Sequence, residues 1–284
     1  MITAHLVLLF ACTTPSKEVQ IGDIRILTYN VHGLPSEITG DDTTSRIEQI
    51  ATILSTSEYD IIGMQEEWID SDHEILVENS GYSYVDRFDE KLDASKVYGA
   101  GLATWSDLPI TNSTHFFYPS CYGYIENASD CFASKGLQMT EIALSETMSE
   151  TSTLHFYNTH LEAGNGTEDS DIRGEEIAQI ISIINEHSAD HPVVFVGDFN
   201  LSFSDSVDNA QLQSLMQDAN LTHACMAVDC PEADHIDQIF LRSSSEISLS
   251  VESWSRESQF VDADNVDLSD HPAISADLHW ETKE

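Results

Sequence analysis

Four short apolar runs in this chain each stop on a group able to hold a metal ion or a phosphate. Ile24-Arg25-Ile26-Leu27-Thr28-Tyr29 stops at Asn30. The run from Tyr59 to Met64 stops at Gln65-Glu66, and Leu154-His155-Phe156-Tyr157-Asn158-Thr159 stops at His160. Val193-Val194-Phe195-Val196 stops at Gly197-Asp198-Phe199-Asn200. A fifth pair, Asp270-His271, stands just before the run Ala273 to Leu278. Runs of this length and composition read as strands, and the unbroken ones as strands covered on both faces. Strand ends present ligand-binding groups from a rigid frame. Singly, each has a structural explanation, since Asn and Asp cap helices and make turns. Together, each at the edge of an apolar run, they point to one site.

Helical periodicity separates the runs. Ile47, Ile50, Ala51 and Leu54 fall on one face, with Ser45 and Glu48 fitting a capping box at its start. Ile177, Ile180, Ile181 and Ile184 mark a second helix, with Arg173 near its start, and Leu212, Leu215, Met216 and Ala219 a third. Strand runs recur at Ile236–Leu241 and Ile247–Val251, and between residues 82 and 144 strands follow one another without a strong helix. There is no repeat period and no long linker in the 284 residues. The expectation is one α/β domain over residues 22–284, a sandwich of two sheets with helices outside.

Residues 1–21 read differently. Ile2 to Ala11 is apolar but too short to span a bilayer, which needs about 20 residues. Leu9-Phe10-Ala11-Cys12 followed by Thr13-Thr14-Pro15-Ser16 resembles a bacterial lipoprotein signal and tether, in which Cys12 takes the lipid. No Lys or Arg precedes the run, and the alternatives are an ordinary secretory signal or a buried first strand. Cys121, Cys131, Cys225 and Cys230 remain, an even count that in an exported chain reads as disulfides. The spacings favour Cys121–Cys131 and Cys225–Cys230, with a zinc site of His223, Cys225, Cys230 and His235 as the rival. Export, to the cell envelope as a lipoprotein or into the medium, is the expected destination. The N-x-S/T triplets at Asn112, Asn127, Asn165 and Asn220 are read as chance.

The polar groups fit metal-assisted attack of water on a phosphorus ester. Mg²⁺ takes oxygen ligands, commonly one or two carboxylates with water and substrate phosphate. Glu66 offers a carboxylate and Asn30 a carbonyl oxygen. Asp270 beside His271 is a candidate relay to deprotonate water, and Asn200 and His160 can hydrogen-bond the oxygens of the transition state. The ion would act as Lewis acid and template.

Tyr29-Asn30-Val31-His32-Gly33-Leu34-Pro35, Gln65-Glu66, Thr159-His160-Leu161, Gly197-Asp198-Phe199-Asn200 and Ser269-Asp270-His271 resemble the ordered motifs of the endonuclease/exonuclease/phosphatase superfamily. The resemblance implies a four-layer, DNase I-like sandwich of two mostly antiparallel sheets flanked by helices, and a phosphoesterase using one or two Mg²⁺ ions. Glu66-Glu67-Trp68, Gly99-Ala100-Gly101-Leu102, Phe132-Ala133-Ser134-Lys135-Gly136 and Thr159-His160-Leu161-Glu162-Ala163 look most like neutral sphingomyelinases. His235-Ile236-Asp237-Gln238 departs from the usual Arg-Ile-Asp-aromatic pattern, and no long aromatic hairpin is evident.

The resemblance implies that Asn30 and Glu66 hold the metal, and that Asp198 and Asn200 orient water and phosphate. It places His160 on the phosphate, and Lys135 there too unless it is an ordinary surface lysine. His271, oriented by Asp270, is the general base, with Asp198 as rival activator of water and Asp237 as support behind the ligands. The expected enzyme is a monomeric phosphodiesterase acting on a lipid head group, with an N-terminal lipid anchor at the membrane. The aromatic segment His115 to Phe132 is its candidate lipid contact, core packing being the alternative. An exported nuclease is the second reading. It is disfavoured by 11 Lys plus Arg against 50 Asp plus Glu, a formal charge of −39, and by the absence of basic clusters. A non-catalytic surface lipoprotein is the third.

Overall fold

The computed structural model describes residues 19–123, 131–145 and 152–283. Two six-stranded sheets face each other. The first has the order β11-β12-β1-β2-β4-β3. Its strands are β1 (Ile21–Asn30), β2 (Ile61–Gln65), β3 (Tyr84–Phe88), β4 (Leu102–Ser106), β11 (Ile247–Arg256) and β12 (Ile274–Thr282). The second has the order β5-β6-β7-β8-β10-β9. It comprises β5 (Ile110–Phe117), β6 (Gly136–Ala143), β7 (Thr153–His160), β8 (Val193–Asp198), β9 (Thr222–His223) and β10 (Asp237–Arg242).

Each sheet is antiparallel except at its centre, where β1 lies parallel to β2 and β7 parallel to β8. A parallel neighbour requires a crossover. α2 (Thr43–Leu54) supplies it for the first pair and α4 (Thr167–His187) for the second. Their apolar faces close the outer layers. Ile47, Ile50, Ala51 and Leu54 of α2 pack with Leu76 of α3 (Asp70–Asn79) on the first sheet. Ile177, Ile180 and Ile184 of α4 pack with Leu212 and Leu215 of α5 (Ser206–Asp218) on the second. The short helices α1 (Ser36–Thr39) and α6 (Ala224–Ala227) complete the elements of the described residues. Ile26, Ile61, Phe156, Val194, Val196 and Ala276 fill the space between the sheets.

Three details differ from expectation. α3 was not anticipated, because Asp70 to Asn79 buries only Asp72 and Leu76 and carries little apolar periodicity. The cap of α2 is Asp42, whose Oδ1 accepts from Ser45 N at 3.1 Å, so Ser45 lies inside the helix. The strand at residue 236 begins at Asp237. Both local disulfides are closed, Cys121–Cys131 and Cys225–Cys230. The zinc alternative therefore has no thiolates, and His223 instead hydrogen-bonds Gln238 and the Met226 amide. Cys12, the whole N-terminal signal and Asn127 lie outside the described residues, as do residues 124–130 of the aromatic segment.

The sheets approach each other closely at Gly63. A Cβ on Gly63 of β2 would lie 2.4 Å from Val196 Cγ2 and 3.2 Å from Asn158 Oδ1. Gly63→Ala is expected to cost about 1–3 kcal/mol by overpacking. Urea unfolding should show a lower midpoint at an unchanged slope.

Candidate active site

The C-terminal ends of both parallel pairs point to the same place. Asn30 is opposite Gln65 in the β1–β2 register, and His160 is opposite Asp198 in the β7–β8 register. Asp237 opens β10 directly opposite Asp198. A buried amide network ties the two sheets together below: Gln65 Nε2 donates to Asn158 Oδ1 at 2.7 Å, and Asn158 Nδ2 donates to the Met64 carbonyl at 2.8 Å.

The chain turns sharply as it leaves three of these strands. His32, Glu66 and Asn200 all have positive φ, at 51°, 62° and 50°. A non-glycine residue held there costs on the order of 1–3 kcal/mol, and such strain clusters at functional sites. A Cβ on Gly33 would lie 2.2 Å from the Glu66 carbonyl oxygen, so only glycine lets the two loops touch. Arg46 of α2 clamps two loops. Its Nη1 donates to the Val31 and Leu268 carbonyls at 3.0 and 2.8 Å, and its Nη2 to the His32 carbonyl at 2.7 Å. Ser269 Oγ donates to the Asn30 carbonyl at 2.7 Å.

The expected residues meet in a cleft of about 480 Å³, whose lining includes Glu66, Lys135, His160, Asp198, Asn200 and His271. Asn30 Nδ2 donates to Glu66 Oε1 and to Asp198 Oδ2, both at 3.0 Å. Its Oδ1 accepts from His32 N at 3.0 Å, so only a half-turn of this amide offers an oxygen to a cation. His160 Nε2 lies 3.4 Å from Asp198 Oδ2. Asn200 N donates to Asp198 Oδ1 at 3.0 Å, and its Nδ2 donates to the Leu161 carbonyl at 3.2 Å. Lys135 is 3% exposed, not a surface lysine, and its Nζ donates to the same Leu161 carbonyl at 3.0 Å. Trp68 stacks against His160 with ring centres 6.4 Å apart.

Asp270 does not orient His271. It is largely exposed and lies 3.2 Å from His32 Nδ1. His271 Nδ1 instead faces Asp237, at 3.0 and 3.2 Å from its two carboxylate oxygens, while Nε2 points toward Asp198 at 3.7 Å. Burial pushes Asp237 up to about 7, against the pull of the His271 hydrogen bond. Burial alone would lower His271, but the hydrogen bond and charge of Asp237, with Asp198 and Asp270 nearby, raise it to about 10. The pair thus carries a proton at neutral pH. Burial, with the charges of Lys135 and His271, holds His160 well below its ordinary range, so its ring is neutral. Arg173 is buried on α4 and donates to the Glu162 and Gly164 carbonyls at 3.1 and 2.9 Å, a structural clamp on the turn after β7.

The residues fit a divalent cation. Glu66 Oε2 is buried without a hydrogen-bond partner among the described residues. Desolvation also pushes the Glu66 carboxyl upward, the usual mark of a buried anion lacking its counter-charge. On the other side of Asp198, Asp198, Asp237 and His271 bring one potential ligand atom each within 4.8 Å of one another.

The sequence from 27 to 271 matches the model of the endonuclease/exonuclease/phosphatase family. The chain belongs to that family. It is 24% identical over 292 residues to a sphingomyelinase of Mycobacterium tuberculosis, covering 96% of this chain and 56% of the relative. The chain spans 56–60% of the length of these curated relatives, among them a neutral sphingomyelinase of Drosophila melanogaster. Two solved structures share the fold. Beta toxin of Staphylococcus aureus with bound magnesium ions has TM-score 0.66 and 17% identity, covering 90% of this chain and 99% of that one. Zebrafish (D. rerio) TDP2 with a single-strand DNA product has TM-score 0.71 and 16% identity, covering 90% and 98%. The fold therefore accompanies both lipid- and DNA-related names, and the site must decide between them.

Proposed function

We propose that this chain is a Mg²⁺-dependent phosphodiesterase that cleaves a lipid phosphodiester and releases the head group, as a sphingomyelinase does. The observation that carries the reading is the convergence of Asn30, Glu66, His160, Asp198, Asn200 and the His271–Asp237 pair on one cleft floor. Glu66 would hold the ion, with Asn30 beside it once its amide is turned and Asp198 as the neighbouring carboxylate that a second ion could share. A bound Mg²⁺ supplies Lewis acidity and a template for the phosphate. His271, once a bound cation has driven off its own proton, would take the proton from the attacking water, and Asp237 keeps its ring aligned. Asn200, His160 and Lys135 receive the oxygens of the transition state.

The cleft mouth favours a lipid. Ile38, Val97 and Phe132 are exposed on its lining, beside Leu34, and among the described residues Lys135 is the one lysine or arginine that lines it. A nucleic-acid groove would track its backbone with several cations. The strongly acidic chain suits a zwitterionic membrane surface rather than an anionic one. The disulfides support export, and the apolar start ending at Cys12 supports a lipid anchor.

The test is paired hydrolysis by the full chain in Mg²⁺ and in EDTA, on sphingomyelin in mixed micelles and on plasmid DNA. Mg²⁺-dependent phosphocholine release without DNA cleavage is expected. DNA cleavage without lipid turnover would move the protein to the nuclease reading.

A further inference from the structure

Glu66 and Glu67 are neighbours with opposite destinations. Glu66 faces the cleft. The Glu67 side chain is turned away from it and is 1% exposed, between the first sheet and α3. There Oε2 accepts from Trp105 Nε1 of β4 at 3.1 Å. Oε1 hydrogen-bonds His73 Nδ1 of α3, and Arg87 Nε of β3 lies 3.7 Å away. The backbone is held as firmly: Glu67 N donates to the Gly101 carbonyl at 2.9 Å, and Arg87 Nη2 donates to the Glu67 carbonyl at 3.3 Å.

We propose that Glu67 is the positioning residue of the cation site. Its buried carboxylate, held by Trp105, His73 and Arg87, locks the left-handed turn at Glu66 and so aims Glu66 Oε2 into the cleft. This rests on the metal reading above. An unanchored glutamate at the end of β2 would relax out of positive φ and swing its carboxylate away from Asp198 and Asn30. A buried ionic cluster is seldom the most economical way to fill a core, because apolar residues of similar volume usually serve as well or better. Here it stands one residue from the strained ligand, where groups behind a metal ligand set its orientation. The two consecutive acids therefore divide the work, one toward the ion and one toward the frame.

The test is calorimetric titration of the EDTA-treated full-length protein with Mg²⁺, for wild type, Glu67→Gln and His73→Leu, with thermal unfolding of each. Mg²⁺ binding by Glu67→Gln is expected to weaken about 10–100-fold, and by His73→Leu in the same direction. Turnover at saturating Mg²⁺ should stay within about twofold of wild type, a split that general destabilisation does not produce. Folded variants binding Mg²⁺ as wild type does would overturn the inference alone. So would failure of Glu67→Gln to fold together with unaltered affinity in His73→Leu. No Mg²⁺ binding by wild type would overturn the metal reading and this inference with it.

Discussion

Replacing His271 with alanine is expected to lower kcat about 10²–10⁴-fold, the range that positioned acid–base groups contribute, with little change in KM. The geometry adds a sharper expectation. Asp237, not Asp270, holds the ring, through contacts of 3.0 and 3.2 Å to Nδ1. Asp237→Asn should therefore cost about 10²-fold or more, because a carboxylate fixing the tautomer of a base is not replaced by an amide. Asp270 is exposed beside His32, and Asp270→Asn should cost only a fewfold, as exposed ion pairs contribute little. Steady-state kinetics on the three variants separates these roles. Equal losses from Asp237→Asn and Asp270→Asn would sink the assignment.

The pH dependence follows from the same pair. With His271 raised to about 10, its imidazolium stabilises the fold below the ordinary histidine value of about 6.5, and that contribution is lost as pH rises through about 10. Asp237, raised to about 7 by burial, works in the opposite sense, costing stability as pH rises above the ordinary aspartate value of about 4. A base must lose its proton, and a divalent ion beside Glu66 and Asp198 favours that loss by repelling the imidazolium. The His271 ring should accordingly titrate at lower pH in Mg²⁺ than in EDTA by NMR.

The frame of the site is legible in the sequence because it is local. Asn30, Glu66, His160 and Asp198 each follow an apolar run, and the parallel pairs β1–β2 and β7–β8 bring those ends together. What is not legible depends on long-range register. Asp237 meets His271 because β10 runs antiparallel to β8, placing Asp237 opposite Asp198. The adjacency of Asp270 and His271 in sequence suggested the wrong partner, since neighbouring side chains at a strand entry leave in different directions. Arg46 leaves no signal of its own, and Glu67 shows only as part of the Glu66-Glu67-Trp68 likeness, with no role attached. An arginine on a helix and a second acid after Glu66 look like surface residues until the sheets place them against backbone carbonyls and a buried indole. Lys135 reads as a possible surface residue until the fold buries it and its ammonium reaches the Leu161 carbonyl just beyond β7.

That enclosure underlies the second large expectation. Lys135→Met should lower kcat/KM about 10²–10³-fold, the cost of removing one preorganised donor from a developing charge. Lys135 leads directly into β6, whose Gly136 pairs with His160, and it lines the same cleft as His160, Asp198 and Asn200. Its charge opposes the desolvation that pushes Glu66 upward and helps hold His160 neutral. Methionine keeps the length and apolar stem but leaves the acidic floor one positive charge poorer. The loss divides informatively. If Lys135 meets ground state and transition state alike, KM rises and kcat holds; if it meets charge that develops only during attack, kcat falls and KM holds. The buried, fixed position favours the second outcome, because a preorganised ammonium that need not move gains most where charge grows. Lys135→Arg should not restore activity, since a guanidinium is bulkier and forks where a compact ammonium reaches the Leu161 carbonyl. Wild-type activity in Lys135→Met would remove the lysine from the phosphate site and leave Asn200 and His160 to stabilise the charge alone.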